Sequence, residues 1–389
     1  MAEPLVVVID DETTLAEVVI ASVDDILDTE IIESSAIQSE DAIAALASAH
    51  LILVDQGLSD LAAGEPPVAS NGLALIPVLR EYLANTHERH PSFVLFSNRL
   101  DQLSALPQEA RAHVLARSHN FEWALSKNTE DNAVGLETVV PSLAYGSLRI
   151  EEIFAGQRPA PHLDLPEARG TGEPVGPREL ILLHEVLKLP DTDWRMEASR
   201  QIEMARPPIY THTSRQSLAV PVRRWLLHRV IPYPTFLYGR ENIAARLALP
   251  VDITEGLLAN ELAETFAPAT YGGVYHDLDG PRYWRIGADA IIDALSDGDT
   301  ETLRRALSRL ANRDLAFVDH PRPVATLDPN TWQAENTPVP PSHAVRVQLD
   351  DWPAHAEPAR VRLSAIDSTA TASVVVEADR HRLSPRDDH

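Results

Sequence analysis

The sequence predicts a doubly wound parallel α/β sheet over residues 1–150, followed by a mostly helical (α+β) region. Three observations carry that prediction. Five short β-prone segments alternate with helical periodicities, the order expected of a parallel sheet covered by helices. Three of them hold unbroken apolar runs, Leu5–Ile9, Leu51–Val54 and Phe93–Phe96, as suits strands buried on both faces. Past residue 150 the apolar spacing becomes helical again, after a stretch crowded with proline and glycine.

Each element has a local reason. Leu5–Ile9 is largely β-branched and stops at Asp10-Asp11-Glu12. Leu15, Val18, Val19, Val23 and Ile26 then recur at helical spacing over Thr13–Leu27. Ile31–Ile37 is the expected second strand. Ser39 stands as N-cap to a helix carrying Ala42, Ile43 and Leu46, which leads into the strand ending at Asp55. A polar loop over 57–71 follows, containing Gly64, Pro66 and Pro67. The next helix, Gly72–Leu83, is expected to become regular late because of Pro77. Ser92–Phe96 is the fourth strand and ends in Ser97-Asn98. After a helix over Gln108–Ala116, Glu122–Leu125 is the fifth, ending in Ser126-Lys127. Thr129 is placed to cap a last helix running past Val139, with an interruption at Pro141.

Composition narrows the function classes. A formal net charge of −25 disfavours non-specific attraction to nucleic acid or anionic lipid, and 44% hydrophobic residues suffice for a substantial core. With no cysteine, disulfides, thiolate metal sites and cysteine nucleophiles are excluded. Neither a signal peptide nor a membrane span is expected, so a cytoplasmic protein is the default. Lysine occurs only at 127 and 188, which makes each one conspicuous.

The strand ends carry the chemistry. In open α/β sheets ligands bind outside the carboxyl ends of the strands. Four of the predicted strands end in Asp10/Asp11, Asp55, Ser97 and Lys127, so these groups are expected to converge. Gly57, two past Asp55, lets the backbone turn tightly there. Three carboxylates brought together repel one another unless a cation intervenes. A hard divalent ion with oxygen ligands, Mg²⁺ above all, is the expected partner. A hydroxyl and an ammonium complete a set of donors suited to phosphoryl transfer onto a carboxylate.

The order and context of these residues resemble the receiver domain of two-component response regulators, over about residues 4–147. The resemblance implies a flavodoxin-like fold and makes Asp55 the phosphoacceptor, served by a histidine kinase or phosphotransfer protein. It makes Asp10 and Asp11 the acidic metal-binding pair, with the Gly57 carbonyl as a backbone ligand to Mg²⁺. Ser97 corresponds to the switch hydroxyl and Lys127 to the phosphate-contacting lysine. The chain departs from the family pattern at Asn128, where proline is usual. Trp123 also stands one place before the usual aromatic, and the Asp55–Ser97 interval is long.

The remainder reads as a linker over 151–177, a helical output region over 178–316, and a proline-rich segment with a small β element and tail over 317–389. Glu179–Leu189 and Pro221–Val230 are expected helices. The second should turn Val222, Trp225 and Leu226 inward, leaving Arg223, Arg224, His228 and Arg229 mostly outward. Arginine outnumbers acid between 195 and 246. That suggests either a nucleic-acid surface or, preferably, a basic face that docks on the acidic receiver. Glu241–Leu249, a turn at Pro250-Val251 and a helix over Ile253–Phe266 precede an expected hairpin around Asp279-Gly280. Together, over 217–290, they loosely resemble a winged helix. Its second helix offers Glu255, Glu261 and Glu264 and no base, which argues against reading DNA. Short β-prone stretches at Ala344–Leu349, Val361–Ile366 and Ser373–Val376 suggest a terminal sheet shared with the hairpin.

The expected function is thus a response regulator that accepts phosphate on Asp55 and relays it to its own C-terminal region or a protein partner. Two alternatives stand beside it. One is a DNA-binding regulator using the winged-helix-like segment, with Arg223, Arg224, Arg229, Arg282 and Arg285 as a candidate partner or nucleic-acid surface. The other is a degenerate receiver that works as a phosphorylation-independent interaction module. No catalytic output domain is recognisable; the receiver itself would catalyse its phosphoryl transfer and dephosphorylation.

Overall fold

The computed structural model describes residues 3–23, 25–58, 71–87, 89–103, 108–128, 135–154, 177–205, 207–208, 218–278, 280–320, 322–348, 357–366 and 369–383. The expectations for most of the 57–71 loop, for Thr129 and Asp279, for most of the linker and for the tail's end fall outside them. The chain divides into two compact units, one of residues 1–188, 203–232 and 272–280, the other of 189–202, 233–271 and 281–389.

In the first unit β1 (Leu5–Asp10), β2 (Asp28–Glu33), β3 (Leu51–Asp55), β4 (Ser92–Ser97) and β5 (Trp123–Ser126) form one sheet in the order 2-1-3-4-5. Every neighbouring pair is parallel. This is the doubly wound, flavodoxin-like order, whose direction reverses between β1 and β3 and opens a crevice at the carboxyl rim there. The helices are α1 (Thr13–Val23), α2 (Glu40–Ser48), α3 (Gly72–Thr86), α4 (Leu100–Leu103), α5 (Gln108–Ser118) and α6 (Leu136–Phe154). Val7, Ile9, Ile52, Val54, Phe93 and Leu95 pack with Leu46, Ile76, Leu79, Leu83 and Leu115 in one core. β3 and β4 are buried at every residue, which explains their unbroken apolar sequences.

Three local expectations need correcting. The second strand starts at Asp28 rather than Ile31, and Ser34–Ala36 is a 3₁₀ turn. β2 is an edge strand, half exposed, so its polar residues are tolerated and the apolar signal was displaced downstream. Pro77 does not delay α3, because the Asn71 side chain accepts the Ala74 N–H (3.0 Å) and secures the first turn. Pro141 likewise lies within α6 without ending it; near a helix start a proline forfeits a single hydrogen bond.

Further along are α7 (Pro177–Leu187), α8 (Arg195–Met204) and α9 (Ala219–Trp225), the last continuing as a π-helical turn over Leu226–Val230. α9 packs on α6, and the π turn on α5. Arg223 and His228 face inward, contrary to the amphipathic reading, because buried acceptors on the sheet and on α6 meet them.

The second unit is largely helical. β6 (Leu237–Tyr238) precedes α10 (Arg240–Leu247), α11 (Val251–Ala259) and α12 (Ala263–Phe266). β7 (Tyr283–Trp284) leads into α13 (Arg285–Ser296) and α14 (Thr300–Leu310). Ile243, Leu247, Leu257, Leu262, Phe266, Ile292 and Leu307 share its core. The helix expected over Ile253–Phe266 breaks at Asn260. No hairpin forms among the described residues around Gly280. β7 pairs instead with β6, and Tyr275 sits in a turn at φ 64°. Among the described residues, the wing expected around Asp279-Gly280 does not form. β8 (Ala344–Val347) and β9 (Ala359–Arg362) form a separate antiparallel pair, joined by a bridge from Val347 to Val375 and followed by α15 (Thr369–Ser373). No described helix is long and apolar enough to cross a membrane.

Candidate functional site

The carboxyl rim of the first unit's sheet gathers the residues singled out by the strand ends. Asp10 closes β1 and is fully buried; its Oδ1 accepts the Glu12 N–H at 2.9 Å. Asp55 closes β3, 6% exposed, and its Oδ2 accepts the Gly57 N–H at 3.0 Å. Lys127 follows β5 directly, held in place by its N–H on the Ser97 carbonyl (3.1 Å). Its Nζ lies 2.8 Å from Asp10 Oδ2 and 3.0 Å from Asp55 Oδ1, and all three side chains are nearly inaccessible. Oxygens of Asp10, Asp11 and Asp55 lie within 4.8 Å of one another.

Electrostatics follow from this packing. Burial pushes the Asp55 carboxyl above its ordinary value, with the Lys127 ammonium pulling the other way. Burial also opposes the charge on Lys127, but its bonds to Asp10 and Asp55 prevail and raise it, so the ammonium stays charged. Ser97, ending β4, is on the same rim. Its hydroxyl donates to Gln56 Oε1 (3.3 Å) and accepts the Arg99 N–H (3.0 Å). The turn behind Asp55 is tight: the Gly72 N–H reaches the Gln56 carbonyl at 3.2 Å. A Cβ on Gly72 would lie 1.9 Å from the Asp55 carbonyl oxygen, so only glycine fits.

Three carboxylates around one point form an all-oxygen donor set, which fits a hard divalent cation and no soft one. A single ammonium already satisfies part of that charge. The arrangement can hold a cation and a tetrahedral anion side by side at the mouth of the rim.

The arginines proposed as a nucleic-acid surface are distributed otherwise. Arg223 is fully buried and donates to Ser92 Oγ (2.8 Å) and the His90 carbonyl, 3.6 Å from Glu151. Arg224 donates through Nε to Glu122 Oε1 (2.9 Å). Arg282 is also buried, Arg285 lies 3.9 Å from Asp289, and Arg229 alone of the five is well exposed. For Arg223 and Arg224 the guanidinium serves acceptors at Ser92, Glu151 and Glu122 rather than solvent.

Sequence reasoning missed Glu122. It is buried at the amino end of β5, accepting from Arg80 Nη2 (2.8 Å), Arg224 and the Phe93 N–H (2.8 Å). Burial alone would raise its pKa, but the Arg80 and Arg224 guanidiniums outweigh that and hold it at about 2. The available signal was a lone carboxylate opening an otherwise apolar strand. Gln56 and Gly72 left no such signal.

No protein-family model matches the chain, and no curated protein matches it in sequence. Solved structures do. The receiver domain of the Francisella response regulator 1452 is 17% identical at a TM-score of 0.25, covering 38% of this chain and 98% of its own. A Burkholderia pseudomallei response regulator, solved with a phosphorylated aspartic acid, calcium ion and citrate, is 16% identical at 0.24, over 39% of this chain and 74% of its own. The Salmonella typhimurium RcsB response regulator is 15% identical at 0.25, over 54% of this chain and 94% of its own.

Proposed function

We propose that this protein is a response regulator whose Asp55 accepts a phosphoryl group from the phosphohistidine of a kinase or phosphotransfer protein in the cytoplasm. The observation that carries it is the Lys127 ammonium seated between Asp10 and Asp55 at the switch point of the sheet, with Asp11 beside them. An Asp55 oxygen attacks phosphorus. The P–N bond breaks, its electron pair stays on the imidazole nitrogen, which takes a proton from water, and an acyl phosphate remains on Asp55. Lys127 transfers one of its hydrogen bonds to a phosphoryl oxygen, and Ser97 supplies a second donor on the neighbouring strand. Asp10, Asp11 and Asp55, with the Gly57 carbonyl, would hold Mg²⁺, which when bound neutralises the carboxylates and draws in a phosphoryl oxygen. The output passes to the chain's own C-terminal residues or a protein partner.

The DNA-binding alternative has less to stand on, since Arg223, Arg224 and Arg282 are buried or paired. Intact mass after incubation with a small phosphodonor and Mg²⁺ tests the proposal. A phosphoryl adduct is expected on wild type and not on Asp55→Ala. Absence of the adduct from wild type, or its persistence in the variant, rejects it.

A further inference from the structure

We infer that Gln56 is a resting-state latch on the Ser97 hydroxyl, a positioning residue that sets how readily Asp55 takes up phosphate; this deepens the proposed phosphoacceptor reading and rests on it. A serine hydroxyl has a single hydrogen to donate. Here that hydrogen points to Gln56 Oε1 at 3.3 Å, while the same oxygen accepts the Arg99 N–H at 3.0 Å. Ser97 is 2% exposed, so water offers little alternative partnership.

A phosphoryl group on Asp55 presents only acceptor oxygens. Ser97 therefore serves it only after releasing Gln56 and rotating its hydroxyl. The Gln56 backbone is in no position to follow, because its carbonyl is tied to the Gly72 N–H at the start of α3. The release must occur in the side chains, as one hydrogen bond exchanged for another. Removing the Oε1 acceptor leaves the Ser97 hydrogen uncommitted in the resting protein. The cost of engaging a phosphoryl oxygen then falls by about the net value of one hydrogen bond, an effect of about threefold to tenfold.

The test is the initial rate of phosphoryl uptake from acetyl phosphate with Mg²⁺, read by intact mass on the full chain. In this reaction the Asp55 oxygen displaces acetate, whose oxygen keeps the electron pair of the broken P–O bond. Gln56→Leu, with Gln56→Ala as a second variant should the first fail to fold, is expected to react about threefold to tenfold faster. Ser97→Ala should react more slowly than wild type. The Gln56 substitution should add nothing in the Ser97→Ala background, which a merely structural role for Gln56 would not produce. An unchanged or slower Gln56 variant overturns the latch, as does an acceleration that survives without the Ser97 hydroxyl. If wild type gains no phosphoryl mass, the phosphoacceptor reading itself falls and takes the latch with it. If wild type gains it and the Gln56 variants behave like wild type, the latch alone is lost.

Discussion

Lys127 Nζ lies 2.8 Å from Asp10 Oδ2, a contact between residues 117 positions apart that joins the two ends of the first sheet's sequence. Asp10 has 0% side-chain exposure and Lys127 6%, so neither charge is relieved by solvent. The pair therefore depends on its own geometry, and on Asp55 as the third member.

Removing the ammonium leaves two buried carboxylates facing each other. Lys127→Ala is expected to destabilise the first unit by about 3 kcal/mol, as when one partner of a buried ion pair is deleted. Millimolar Mg²⁺ should then raise the melting temperature of the variant more than that of wild type, since the cation replaces the missing charge. Thermal melts with and without Mg²⁺ check both outcomes; equal Mg²⁺ responses would contradict the shared-cation arrangement.

Gly72 governs the same site through sterics. Because a Cβ there would meet the Asp55 carbonyl at 1.9 Å, Gly72→Ala must shift either the end of β3 or the start of α3. A loss of about 1–3 kcal/mol is expected, together with slower phosphoryl uptake on Asp55. Denaturant melts and the intact-mass assay report the two effects separately. A variant with wild-type stability would refute the close approach.

At the opposite rim, Glu122 sets an acid limit. Its folded pKa of about 2 lies below the ordinary 4.5, so its pairing with Arg80 and Arg224 stabilises the protein fully above pH 4.5 and is lost as pH falls towards 2. The shift corresponds to about 3 kcal/mol. His50, whose Nδ1 accepts the Leu5 N–H at 3.0 Å, is held mainly by burial at about 4. Its contribution is present above 6.5 and disappears as pH drops through 4. Stability should therefore decline first between pH 6.5 and 4, then again below 4.5. Urea melts across pH should show a flatter acid limb for Glu122→Gln than for wild type, from a lower plateau at pH 7.

Tyr275 supplies a packing test within the first unit. A Cβ on Gly146 of α6 would lie 2.2 Å from the Tyr275 ring, which is fully buried against the helix. Gly146→Ala should cost about 1–3 kcal/mol by overpacking. In a Tyr275→Ala background the same substitution should cost much less, because the clash is gone. A double-mutant cycle by chemical denaturation measures this; additive losses would place the strain elsewhere.

The charged rim was legible because parallel strands obey a rule of direction. Apolar runs long enough only for strands, each closing on Asp10, Asp55, Ser97 or the residue before Lys127, have their ends on one side whatever the order of the sheet. The edge strand was misplaced because β2 is buried on little of its surface, leaving weak apolar patterning. The outward orientation expected of Arg223 and His228 failed for a different reason. An arginine facing solvent and an arginine facing a buried acceptor have the same sequence signature, and only Glu122, 102 positions from Arg224, and Ser92, 131 from Arg223, distinguish them. Tyr275, close to the expected hairpin turn, instead sits at φ 64° with its ring against Gly146 of α6, a contact that the turn signal does not encode.

Chain order and residue chemistry alone established the parallel sheet, its charged rim and the candidate phosphoacceptor, since periodicity and strand termini are local properties of the sequence. Folding in three dimensions settled which partners the charges have. Lys127 with Asp10 and Asp55, Arg223 with Ser92, Arg224 with Glu122 and Ser97 with Gln56 are all pairings between distant segments. Their energies depend on separation and burial, and neither quantity exists until the chain has closed upon itself.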